Sequence, residues 1–127
     1  MDENEIGAEI IDAAVKIHQA LGPGLLEHVY EVILAHQLEK RGLKVLRQVP
    51  VPIHFEGEYF DEGFRADLVV QDKVIVELKS IEQLHRSHNK QLLSHLKLTD
   101  KKLGFLLNFG APLMKEGIAR IVNNLPE

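Results

Sequence analysis

From Asn4 to Leu21, apolar side chains recur at Ile6, Ile10, Ala13, Ala14, Ile17 and Leu21, the three-to-four spacing that gathers them on one helix face. The segment stops at Gly22-Pro23-Gly24. A second helix is predicted from Leu25 to Arg41, with Leu26, Val29, Tyr30, Ile33, Leu34 and Leu38 as its apolar stripe and Gly42 as its C-terminal cap. Beyond Gly42 the period changes. Lys44 to Phe55 is rich in Val and Ile and carries Pro50 and Pro52, which suits a strand that bends or lies at an edge. Glu56-Gly57-Glu58 reads as a turn, and Glu58 to Val70 and Val74 to Leu78 read as two further strands separated by Gln71-Asp72-Lys73. Leu84 to Leu98 returns to helical spacing, Lys102 to Phe109 is a near-continuous apolar run of strand length, and Lys115 to Val122 reads as a short closing helix. The predicted order is ααβββαβα: an α/β chain with a mixed sheet of about four strands, an N-terminal helical hairpin and the Leu84 to Leu98 helix against it.

No repeat, low-complexity tract or linker interrupts this pattern, and 127 residues suit one core rather than two, so a single domain over 1–127 is expected. The absence of cysteine excludes thiolate metal sites, thiol nucleophiles and disulfides. It also fits a cytoplasmic address. The start, Met1-Asp2-Glu3-Asn4-Glu5, is acidic and lacks a signal pattern, and no apolar run approaches the ~20 residues that span a bilayer, so no membrane partner is expected. A net charge of -4 has the wrong sign for coating nucleic acid by electrostatics alone. It weighs less against a site that gathers carboxylates around a divalent cation and leaves Lys and Arg for phosphates.

Such a site is legible on the strands. Side chains two apart on a strand share a face, so Glu77 and Lys79 point one way while Val74, Val76 and Leu78 point the other. On the preceding strand Arg65, Asp67 and Val69 share a face, with Phe64, Ala66, Leu68 and Val70 alternating with them. A three-residue loop, Gln71 to Lys73, pairs Val70 with Val74 and sets Asp67 opposite Glu77; a two-residue loop would set it opposite Val76 unless a bulge intervened. Two carboxylates ~4 Å apart repel by about 4 kcal/mol at an effective dielectric near 20. A bound Mg²⁺ or Mn²⁺ offsets this, and can polarise a phosphodiester and lower the pKa of a water. A lone Glu-x-Lys occurs by chance in about every second chain of this length. Its weight here comes from Asp67 ten residues upstream on an adjacent strand, the apolar reverse face and the helix that follows.

Asp67 followed by Glu77-Leu78-Lys79 on the next strand, in an αβββαβ order, resembles the restriction-endonuclease-like core of the PD-(D/E)XK nuclease superfamily. Gly24-Leu25-Leu26-Glu27-His28-Val29-Tyr30 resembles the motif that names its GxxExxY family, and Gln91 to Thr99 and Leu106 to Gly110 are similar to that family too. Ala66 stands where the superfamily's name has Pro, and His95 where exonuclease-type relatives tend to have Tyr. The resemblance implies phosphodiester hydrolysis in DNA, or less favourably RNA, with Asp67 and Glu77 holding Mg²⁺ or Mn²⁺ and Lys79 assisting the nucleophile. It also implies that Glu27 completes the metal or water shell.

The remaining candidates each have a plainer reading. Glu27 also fits a capping box around Gly24. Tyr30 suits the core, with its hydroxyl hydrogen-bonded. Gln91 faces the same cleft or is a helix-surface amide. Arg65 contacts a phosphate or pairs with Asp67. Lys90, with Arg86, Lys97, Lys101 and Lys102, contacts nucleic acid or is the solvated side of a helix. Seven histidines, with His85 and His88 three apart, suggest zinc, but spacing implies no third ligand. A homodimer is left open. The alternative function is a catalytically inactive module that keeps the fold and binds nucleic acid or a protein partner.

Overall fold

The computed structural model describes residues 1–126. Helices α1 (Glu3–Leu21) and α2 (Glu27–Lys40) precede strands β1 (Val45–Phe55), β2 (Glu58–Val70) and β3 (Val74–Lys79). Helix α3 (Arg86–Thr99), β4 (Leu103–Asn108) and β5 (Ile118–Val122) follow. A reciprocal cap between Asp2 and Glu5 fixes the start of α1. At the end of α2, Gly42 takes a left-handed φ of 85°, which lets the Leu43 N–H reach the Leu38 carbonyl.

The sheet runs β1-β2-β3-β4-β5, antiparallel throughout except for the parallel pair β3 and β4. That parallel pair demands a crossover, and α3 supplies it. The helical hairpin covers one face: Ile6, Ile10, Leu34 and Leu38 pack with Leu68, Val76, Leu78 and Phe105. On the other face Leu92 and Leu96 of α3 pack with Ala66, Val69, Ile75 and Leu106. Both helical layers press close to β4. A Cβ at Gly7 would meet the Phe105 ring at 3.0 Å, and one at Gly104 would meet Leu92 at 3.1 Å. No helix among the described residues is long and apolar enough to cross a membrane.

Two expectations are corrected. Lys115 to Val122 is not a helix: a 3₁₀ turn at Met114–Gly117 leads into β5, so the sheet has five strands among the described residues rather than about four. All of β4 is buried and its free edge needs a partner; β-branched Ile118, Ile121 and Val122 supply one once Gly117 ends the turn. Helix α2 starts at Glu27 with Leu26 as its N-cap, so Glu27 is not the third residue of a box around Gly24.

Candidate active site

The three-residue connection after β2, with Gln71 and Asp72 left-handed, pairs Val70 with Val74, Val69 with Ile75 and Leu68 with Val76. Continued one step, this register puts Asp67 across from Glu77. The backbone ladder has ended there, and the Asp67 side chain replaces it: Oδ2 accepts the Leu78 N–H at 2.8 Å. Asp67, Glu77 and Lys79 line one polar pocket of about 220 Å³, closed on its far side by α3. A larger groove of about 400 Å³, apolar and lined by residues such as Val49, Val51, Ile75 and Leu98, contains none of the strand acids or Lys79.

The alternation expected along β2 does not run through Asp67. Ala66 and Val69 both pack on the α3 side, whereas Leu68 and Val70 pack on the hairpin side. Ala66 and Leu68 therefore face opposite layers although they are two residues apart. The cause lies across the ladder, where Gln48 of β1 is left-handed at φ 52°, a conformation that costs a non-glycine residue about 1–2 kcal/mol. Arg47 pairs with Leu68 and Val49 with Ala66, but Gln48 and Asp67 form no ladder pair. Beyond this kink β2 leaves β3 and continues with β1 alone as a two-stranded ribbon.

The electrostatics of the pocket are those of carboxylates removed from water. Burial raises the Glu77 carboxyl above its ordinary value; the apposed His95 and Lys79 oppose this, and the Asp67 charge reinforces it. Burial likewise raises Asp67, against the Leu78 N–H and with the Glu31 charge adding to the rise. Glu77 Oε1 lies 3.5 Å from His95 Nδ1, without hydrogen-bond geometry, and both atoms are buried with no other partner among the described residues. A buried carboxylate oxygen without a donor is costly unless something else meets its charge.

Glu27, from the first turn of α2, Arg65 of β2 and Gln91 of α3 line the same pocket. Burial raises Glu27, Lys79 opposes that, and Asp67 and Glu31 add to it. Arg65 does not pair with Asp67; its Nη1 donates to the Gln48 carbonyl at 3.2 Å, because the kink aims that carbonyl out of the ladder. Lys90 is exposed on α3 and does not line the pocket. Tyr30 is core: its hydroxyl donates to the Gly22 carbonyl and accepts from the Leu25 N–H, and its ring stacks on Phe109. The His85 and His88 pair caps α3, with the His85 N–H donating to His88 Nδ1 at 3.0 Å.

Sequence reasoning gave no place in this pocket to four residues. His88 and His95 line the pocket from α3, and the face of Phe64 stacks on His95. The spacing of His88, Gln91 and His95 along one helix face was the available signal. Glu31 is buried beneath Asp67; its Oε2 accepts from both Arg47 Nε and Nη2 at 3.1 and 2.9 Å, while Gln48 Nε2 donates to Oε1 at 2.6 Å. A Glu directly after the Tyr30 stripe position gave no hint of burial.

The donor set suits a hard divalent ion. Asp67 and Glu77 offer carboxylate oxygens, one of them buried and without a hydrogen-bond partner among the described residues, which a cation would meet. Among the described residues no three His, Asp or Glu side chains are grouped so as to hold a metal ion, so Glu27 does not stand as a third ligand beside Asp67 and Glu77. Two carboxylates leave the rest of an octahedral shell to water and phosphate oxygens, as Mg²⁺ prefers.

No curated protein and no solved structure matches the chain. A family model described as the PD-(D/E)XK nuclease superfamily matches residues 4–121. Nucleases of that superfamily generally depend on a divalent metal and act on nucleic acid. Because the match runs from α1 into β5 and takes in Asp67, Glu77 and Lys79, the chain belongs to the PD-(D/E)XK nuclease superfamily.

Proposed function

We propose that this protein hydrolyses phosphodiester bonds, in DNA rather than RNA, with Mg²⁺ or Mn²⁺ held by Asp67 and Glu77. What carries the reading is the convergence of these two desolvated carboxylates and Lys79 on one pocket, where Glu77 Oε1 has no donor among the described residues. The ion supplies Lewis acidity, offsetting carboxylate repulsion and lowering the pKa of water. Lys79 presents its ammonium beside both acids, orienting the attacking water and stabilising charge that develops on the phosphorane. Glu27, whose raised pKa favours the protonated form more than usual, positions water at the pocket mouth. Arg65 and Gln91 face the incoming strand, and Lys90 meets backbone phosphate farther out. The Gly24 to Tyr30 segment supports a place in the GxxExxY branch, and the cysteine-free sequence supports a cytoplasmic location.

The test incubates wild type and Lys79→Ala with single-stranded, duplex and flapped DNA and with RNA, in Mg²⁺ or Mn²⁺. Cleavage is expected in wild type and is expected to fall by about 10²- to 10³-fold in the variant, a loss of the size seen when one transition-state donor is removed. No cleavage of any substrate, together with no metal-induced rise in Tm, would favour a catalytically inactive binding module.

A further inference from the structure

Gln48 is the one residue of β1 whose backbone is left-handed, and it touches three charged groups at once. Its Nε2 lies 2.6 Å from Glu31 Oε1 and 3.4 Å from Asp67 Oδ1. Its carbonyl accepts from Arg65 at 3.2 Å. Both side-chain neighbours are carboxylates, which only accept when ionised, so the nitrogen end of the amide must face them. Glu31 is itself immobilised, with its side chain 4 % exposed and its second oxygen held by Arg47.

Resting on the nuclease reading, we infer that Gln48 is a positioning residue, its amide clamped to Glu31 so that its second N–H fixes the Asp67 carboxylate for the cation. The chemistry explains why an amide suits this place. A Lys or Arg here would neutralise Asp67 and compete with the divalent ion, whereas a neutral donor orients the carboxylate and leaves its charge available. The 3.4 Å separation is long for a hydrogen bond, and it would shorten if a bound cation held the carboxylate in a single orientation. The left-handed backbone serves the same end, because it turns Gln48 out of the ladder and over Asp67. Arg65 is set by the same kink, so one residue aligns both an acid of the cation site and a cation of the pocket wall.

The Leu78 amide, which donates to Asp67 Oδ2, reports the Asp67 side chain without any need for activity. Hydrogen exchange by NMR is measured on wild type, Gln48→Gly and Gln48→Asn, beside Mn²⁺ affinity by titration calorimetry. Glycine accepts the left-handed backbone and removes the amide; asparagine tolerates that backbone but is one methylene shorter. Leu78 exchange is expected to accelerate roughly tenfold in both variants relative to the other β3 amides, and the Mn²⁺ dissociation constant to rise roughly tenfold to a hundredfold. A residue that merely holds the kink predicts equal acceleration along all of β3, or none, and either result overturns the inference. If wild type binds no Mn²⁺, the nuclease reading fails, while Leu78 exchange still decides whether Gln48 orients Asp67.

Discussion

Glu77 carries its proton to higher pH than an ordinary glutamate because its side chain, 12 % exposed, is starved of water. The consequence for stability has a definite sign. Once pH exceeds the ordinary value of 4.5, the unfolded chain releases a proton that the folded chain still holds. Stability then falls with rising pH until the raised folded pKa is passed, and the loss persists above it. Glu77→Gln removes this penalty. In the absence of divalent metal, the variant is expected to melt above wild type at neutral pH, with the gap closing as pH approaches 4.5; scanning calorimetry across that range checks it. A variant that melts at or below wild type at every pH would show that Glu77 is not an electrostatic burden. Such a result would remove the main reason for placing a cation beside it.

At the scale of elements, the end of β3 is tied to the end of β4 by Asn108, which is 1 % exposed and stands beside Lys79 in the parallel register. Its Oδ1 accepts the Ile81 and Gly110 N–H groups at 3.0 and 3.1 Å, and the Lys79 carbonyl accepts the Phe109 N–H at 2.8 Å. Asn108→Ala leaves two donors unmatched and is expected to cost about 3 kcal/mol in urea unfolding, with cleavage reduced further than the unfolded fraction accounts for. A loss below about 0.5 kcal/mol would mean that water replaces the amide. The element order through β4 was readable because the changes of hydrophobic period and the Gly and Pro residues coincide with its boundaries. The register at Asp67 and Glu77 was readable because the loop from Gln71 to Lys73 admits one parity. The inversion at Asp67 was not, since a left-handed Gln48 leaves no mark in an apolar and polar pattern. Nor was β5 readable, because Ile118, Ile121 and Val122 satisfy helical spacing as well as they satisfy a strand, and only the exposed edge of β4 decides between them. For Arg65, parity left a phosphate contact and a pair with Asp67 both open, and the same kink turns its guanidinium to the Gln48 carbonyl instead of Asp67.

For the molecule as a whole, a net charge of -4 means that affinity for a polyanion must come from few, local cations. Arg65 lines the pocket and Lys90 stands outside it on α3. On the Lys79→Ala variant, which separates binding from cleavage, the logarithm of DNA affinity against the logarithm of salt concentration is expected to slope at about -2, near -0.9 for each phosphate contact. Fluorescence anisotropy measures this. A slope of about -6 or steeper would require a broad basic surface and would contradict a footprint limited to the pocket and its rim.

The kink between Gln48 and Asp67 divides the long first hairpin into two mechanically separate lengths. Below it, β2 is locked between two neighbours; above it, the chain pairs only with β1 and turns back at Glu56 and Gly57. Matched lengthening or trimming of both arms beyond the Val51 and Phe64 pair leaves the Asp67 to Leu78 hydrogen bond, Arg65 and the Phe64 ring where they are. The outer hairpin is therefore the part of this scaffold that can be recut for different substrate shapes without re-registering the acids.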